Sequence, residues 1–190
     1  MVIKVKNKLF EISKLKFKNI NKIYVNRLQN NFLDKKILTI KEQKEYIREI
    51  RLKKSEIFQI TYNNKLIATS GFNFFKSKLY QGIFIFDKKF LGKGYAKYFI
   101  LATAIYSKKI FKKNKIYAGI LDENSNSKNS FLKAGFKIFS NSPKSFRYKN
   151  KKGMIFLLNL NNINLKLFTK IKFITKWEKT NITKRLKAWF

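Results

Sequence analysis

The sequence predicts one α+β domain, a mixed and mostly antiparallel central sheet flanked by helices, with a basic C-terminal extension. Three observations predict it. The chain has 190 residues, the length of one domain able to bury a real core. Its hydrophobic fraction of 45% and aromatic fraction of 16% are those of a folded globule, not a disordered basic tail. Its hydrophobic period switches in the order β, α, α, βββ, α, β, α, ββ, which is neither a strict βαβ alternation nor all-β. No internal repeat is visible. Residues 1–160 are read as the domain and 161–190 as the extension.

Residues 2–12 alternate loosely and read as a first strand. Residues 18–30 place Ile20, Ile23, Tyr24 and Leu28 at helical spacing. Thr39-Ile40-Lys41-Glu42 has the form of a capping box, in which hydroxyl and carboxylate each satisfy a free backbone N–H. The helix it opens runs to about Lys54. The period then changes. Residues 56–62 are β-branched and aromatic, Asn63-Asn64 is a turn, and residues 65–75 and 79–87 are two further strands of an antiparallel meander. Residues 88–94 form a basic loop containing glycine. Residues 95–111 hold no Gly or Pro and are mostly apolar, as in a buried helix. Residues 115–120 read as a strand, and 124–134 as a short helix ending at Gly135. Residues 136–139 and 145–160 are two more strands. The extension carries eight Lys or Arg against Glu178 alone, with Leu167, Phe168, Ile171, Ile174 and Trp177 near helical spacing.

Composition excludes several chemistries. With no Cys there is no disulfide, thiolate nucleophile or Cys-ligated metal. With no His there is no Ser-His-Asp triad and no imidazole base. The formal net charge of +34 suggests a polyanion partner, but 39 of the 44 basic residues are Lys and only five are Arg. Together with 20 Asn, 24 Ile and 20 Phe, those lysines make up 103 of the 190 residues. That bias is the default of A/T-rich coding, whereas nucleic-acid surfaces lean on Arg for bidentate and stacked contacts. Nucleic acid is therefore not the expected partner. The first residues lack the apolar run of a signal peptide. The longest uncharged stretch, ending at Leu165, carries four Asn and is too short for the roughly 20 apolar residues of a membrane span. The expected location is a reducing cytoplasm.

Two segments carry chemistry. In the first, Gly92-Lys93-Gly94-Tyr95-Ala96-Lys97 opens a helix directly after a strand. Glycines there let successive N–H groups converge on a phosphate with the helix dipole behind them, although an ordinary tight turn has the same composition. The string is neither a P-loop, GxxxxGK[ST], nor the dinucleotide fingerprint GxGxxG, because position 97 is Lys. In the second, Asp122-Glu123-Asn124-Ser125-Asn126-Ser127 lies between a strand and a helix. Asn and Ser there would also serve simply as helix caps.

Taken together, these segments resemble the GNAT acetyltransferase superfamily. Gly92-Lys93-Gly94-Tyr95-Ala96 is similar to the family's coenzyme A pyrophosphate motif, Q/R-x-x-G-x-G/A. Asn124 to Ser127, followed by Ser130-Phe131-Leu132-Lys133-Ala134-Gly135-Phe136, is similar to its N-x-x-A…LYEK-x-GF segment, with the same 11-residue step from Asn to Gly. The stretch 80–120 also looks like members associated with surface-polysaccharide amino sugars. The resemblance implies acetyl-CoA as co-substrate, no metal, and pantetheine held in a gap between two splayed strands like an added strand. It implies pyrophosphate on the amides of Gly92, Lys93, Gly94, Tyr95, Ala96 and Lys97. The thioester carbonyl would lie near the N–H groups of Phe84, Ile85 and Phe86, where a donor stabilises the oxyanion. Asn124 would contact the cofactor or a bound water. The amine attacks directly, with no acyl-enzyme.

Two positions depart from the family pattern. Leu91 stands where the family has Gln or Arg. Phe131 stands where many members have the Tyr that protonates the leaving thiolate, so water or another hydroxyl (Ser127, Ser130 or Tyr98) must serve. The base must be a carboxylate or absent. Asp87, Asp122 and Glu123 are the acids nearest the expected cleft, and Glu123, which adjoins Asn124, is the first choice of base. The expected acceptor is a small-molecule primary amine, such as a nucleotide-linked amino sugar. A protein or ribosomal-protein N-acetyltransferase, and a non-enzymatic basic RNA-binding protein, are the alternatives. The extension is expected to pack across a sheet edge, join a homodimer or touch a membrane surface.

Overall fold

Alternation of buried and exposed residues sets up an antiparallel hairpin at the start of the chain, β1 (Val2–Val5) and β2 (Lys8–Lys14). The sequence reads there as one strand. The break is the two-residue turn Lys6–Asn7, whose φ values of 47° and 62° match the right-handed twist of the flanking strands. This computed structural model describes residues 1–20, 39, 41–42, 44–45, 48, 52, 55–140, 146–148, 151–163 and 165–174. The helix expected over 18–30 lies largely outside them. The capping box is formed: the Thr39 N–H donates to Glu42 Oε2 at 2.6 Å, and the Glu42 N–H donates to Thr39 Oγ1 at 3.2 Å.

The meander follows as β3 (Glu56–Tyr62), β4 (Lys65–Phe75) and β5 (Lys78–Ile85). After it come α1 (Ala96–Phe111), β6 (Lys115–Leu121) and α2 (Ser125–Lys133). The remaining elements are β7 (Lys137–Ser140), β8 (Phe146–Tyr148), β9 (Lys151–Asn159), α3 (Leu165–Phe168) and β10 (Lys172–Ile174). The strand expected over 145–160 is thus the hairpin β8–β9.

The strands form one sheet in the order β10-β1-β2-β3-β4-β5-β6-β9-β7, with β8 also on β9. Among these pairings, β5–β6 is parallel and the others are antiparallel. This is the mixed, mostly antiparallel α+β architecture that the sequence predicts. The parallel pair needs a crossover, and α1 supplies it.

The helix α1 is buried along Tyr98 to Ala104 and packs on the hairpin and meander in the main core with Phe10, Phe58 and Phe72. A buried polar bridge fixes it behind β4 and β5. The Gln81 amide donates to the Ile100 carbonyl at 3.0 Å and to Thr103 Oγ1 at 2.8 Å, and the Ser70 hydroxyl donates to the Gly82 carbonyl at 3.1 Å. A second cluster, Leu15, Ile20, Leu66 and Phe86, is packed by Ile57 and Phe84. Residues of the extension enter the main core through Leu167 and Ile171, and β10 pairs with β1 at the sheet edge.

Candidate functional site

The β5–β6 pairing runs only through Leu79↔Ile116 and Tyr80↔Tyr117. Beyond it β5 stays on β4 to Ile85, while β6 stays on β9 to Leu121. The two strands therefore part and leave a wedge-shaped gap with Tyr80 and Tyr117 at its apex, their ring centroids 5.6 Å apart. Burial, then the neighbouring Tyr117, raises the Tyr80 phenol above the ordinary value of 10.0.

The ladder decides which β5 amides face the gap. The Phe86 N–H donates to the Ile67 carbonyl at 3.2 Å, and the Asp87 N–H donates to the same oxygen at 3.3 Å. Bonded positions alternate along an antiparallel pair. With Phe84 opposite Thr69 and Ile85 opposite Ala68, the backbone of Phe84 and Phe86 turns to β4. That of Ile83 and Ile85 turns to the gap. Of the expected trio Phe84, Ile85 and Phe86, then, Ile85 offers its amide to the gap. Ile83 joins it, and sequence reasoning missed this because it did not know the register. The rings of Phe84 and Phe86 pack with the second cluster.

The gap opens toward the loop after β5. The Asp87 carbonyl accepts from Phe90 and Leu91 at 2.9 and 3.0 Å, and Asp87 Oδ1 accepts from the Lys89 N–H at 2.9 Å. These bonds turn the chain sharply. Phe90 and Tyr95, which bracket the glycine stretch, are buried and meet edge-to-face at 5.2 Å. Both also contact the Phe10 ring, at 5.5 and 5.6 Å. Each such aromatic pair contributes about 1 kcal/mol beyond area burial, so both ends of the loop are clamped.

Between the clamps, Gly92 and Gly94 take φ of 71° and 72°, conformations that strain any side chain. Tyr95 caps α1 without a side-chain hydrogen bond, and the first turn holds no acid. Among the described residues, the N–H groups of Gly92, Gly94, Tyr95, Ala96 and Lys97 have no recorded acceptor. An uncapped helix end with free amides and nearby Lys93 and Lys97 has the donors and charge to hold an anion. The residues fit a pyrophosphate. Lys6 was not foreseen: its ammonium donates to the Lys93 carbonyl at 2.9 Å and lies 5.0 Å from the Tyr95 ring centroid. No sequence signal links positions 87 residues apart.

The second segment sits at the end of β6. Asn124 caps α2, its side-chain oxygen accepting from the Ser127 N–H at 3.0 Å. Ser127 is half-buried beside it. Glu123 is exposed and paired with Lys151 at 2.5 Å, the setting of a solvated loop carboxylate rather than a desolvated base. Asp122 is exposed as well. Phe131, in place of the family's Tyr, is buried against Phe136, ring centroids 4.9 Å apart. Tyr98 is buried in α1. The Ser130 hydroxyl donates to the Asn126 carbonyl at 2.8 Å. Among the described residues there is no group of three or more acids placed to hold a metal.

No protein-family model matches the chain, and no curated protein matches it by sequence. Solved structures do match in shape. RimJ of Mycobacterium smegmatis, in complex with CoA-disulfide, superposes with a TM-score of 0.74 at 9% identity, covering 91% of this chain and 95% of that one. A GNAT-family acetyltransferase from Bacillus anthracis gives 0.66 at 20% identity, covering 85% of this chain and 100% of its own. The dodecameric spermidine N-acetyltransferase of Vibrio cholerae gives 0.65 at 16%, covering 80% and 94%. A sheet split at one parallel pair, a glycine loop at its mouth and these superpositions together identify the fold of this chain as the GNAT acetyltransferase fold.

Proposed function

We propose that the chain is an acetyl-CoA-dependent N-acetyltransferase acting by direct transfer to a primary amine. The observation that carries this is the β5–β6 gap opening onto the uncapped N terminus of α1 behind two positive-φ glycines. Bound there, acetyl-CoA would supply an acyl carbon activated as a thioester.

The chain's own residues do the rest. The free amides of Gly92, Gly94, Tyr95, Ala96 and Lys97 hold the pyrophosphate, the Lys93 N–H being turned to the Phe90 carbonyl at 3.4 Å, and Lys93 and Lys97 add positive charge. The exposed edge of β5 pairs with pantetheine amides as an added strand would, and the Ile83 and Ile85 N–H groups face the acyl oxygen as negative charge grows on it. With no His and no Cys, an imidazole base and a cysteine acyl-enzyme have no residue to run on. Glu123 and Asp87 are engaged with Lys151 and Lys65, which leaves the exposed Asp122 or water to take the proton of the acceptor ammonium. Asn124 orders the start of α2 beside the gap and leaves its amide NH₂ for cofactor or water.

The acceptor we favour is a neutral or anionic amine, such as an amino sugar on a nucleotide carrier. The +34 charge disfavours a polycation such as the spermidine used by the Vibrio cholerae structure's enzyme. Melting the protein with and without millimolar acetyl-CoA tests the donor, because a ligand that binds only the native state raises the transition. A shift of several degrees is expected, and its absence overturns the proposal. Coenzyme A release with an amino-sugar nucleotide, spermidine and a lysine peptide then ranks the acceptors, with the sugar nucleotide expected first.

A further inference from the structure

We propose that Lys6 is a positioning residue for the anion cradle: by holding the Lys93 carbonyl, it sets the direction of the Gly94 N–H. The proposal rests on the reading of the cradle as a pyrophosphate site.

In a trans peptide the C=O and N–H point to opposite sides of one plane. The Lys93 carbonyl accepts from the Lys6 ammonium at 2.9 Å, so the Gly94 N–H points away from the hairpin. Nothing within the loop fixes this choice. The Lys93–Gly94 peptide turns about ψ of Lys93 and φ of Gly94, and with no Cβ on Gly94, whose φ is 72°, it can flip at little steric cost. In the flipped peptide a carbonyl oxygen would face the anion where an N–H should. The Lys6 ammonium removes that alternative.

Lys6 is itself held in place. It occupies the tight β1–β2 turn, closed by the Val5↔Lys8 pair. Val5 and Phe10, on either side of that turn, are 1% and 0% exposed. The ammonium lies over the Tyr95 ring at the helix cap, a cation–π contact, and 3.8 Å from where a Cβ on Gly94 would stand. The hairpin, which also sets Phe10 against Phe90 and Tyr95, thus braces the loop from outside.

Calorimetric titration of coenzyme A into wild type, Lys6→Met and Lys6→Arg tests this. Met keeps the stem over Tyr95 and loses the donor, whereas Arg keeps a donor. Losing a charge-assisted hydrogen bond predicts affinity about five- to tenfold weaker for Lys6→Met. The expected result is that loss with an unchanged melting temperature in the absence of ligand, recovered in Lys6→Arg. The loss should persist at about 1 M salt, where the screening length is about 3 Å. Affinity equal to wild type in Lys6→Met overturns the proposal. So does a loss that vanishes at high salt, which would be charge alone, or one that tracks a lowered melting temperature. If wild type itself fails to bind coenzyme A, the acetyltransferase reading falls, and this proposal with it.

Discussion

Gly94 carries a sharper demand than its neighbours. A side chain there would be strained at a φ of 72° and would stand 3.8 Å from the Lys6 ammonium. Left-handed backbone costs a non-glycine residue about 1–2 kcal/mol. Gly94→Ala is therefore expected to weaken coenzyme A about tenfold or more by calorimetry while moving the melting temperature little, because the loop flips rather than unfolds. Equal affinity in the variant would show that the Gly94 amide is not used. The positive-φ turn at Gly92 and Gly94 and the helix cap at Asn124 are legible in the sequence because both are local signals. Lys6 and the Ile83 amide are not. One depends on a turn 87 residues from its partner, the other on the parity of a ladder that a bulge at Phe86 and Asp87 ends. Glu123 was singled out for adjoining Asn124, but its side chain turns to Lys151 and solvent.

Elements with a strong local signal were readable close to their ends. The meander, α1, β6 and the capping box at Thr39 each repeat one period without interruption, so propensity and packing agree. The two hairpins β1–β2 and β8–β9 each read as one strand, because no glycine marks the Lys6–Asn7 turn and lysine repeats on both sides of it. The extension packs across a sheet edge as expected, β10 covering β1, and it also places Leu167 and Ile171, 6% and 4% exposed, in the main core. A chain ending after Asn162 loses both side chains and that pairing. Burial of each is worth about 1.5–3 kcal/mol, and about 2–4 °C accompanies each kcal/mol at this size. Such a chain is expected to melt at least about 5 °C lower by scanning calorimetry and to self-associate through the bare β1 edge in sizing runs. A melting temperature equal to the full chain would mean that 163–174 carry no stability.

At the scale of the whole molecule, the +34 charge creates a field that favours every anion, and the cradle selects among them. The two contributions separate by salt. Retention of generic RNA should fall steeply and log-linearly with salt, as counterion release requires. Coenzyme A affinity should fall much less if, as proposed, fixed backbone amides hold the pyrophosphate. Parallel salt slopes for the two would mean that charge alone binds both. The fold class was legible from length, apolar content and element order, whereas the gap needed register, which no local pattern encodes. The sheet's outer edge also has a schedule. β1 finds its outer neighbour only after about 170 more residues have been joined, since it pairs with β10 across Val2↔Ile174. Throughout synthesis that edge is an open template for stray strands. The exposed lysines at positions 4 and 6 are charges of the kind that discourage such pairing.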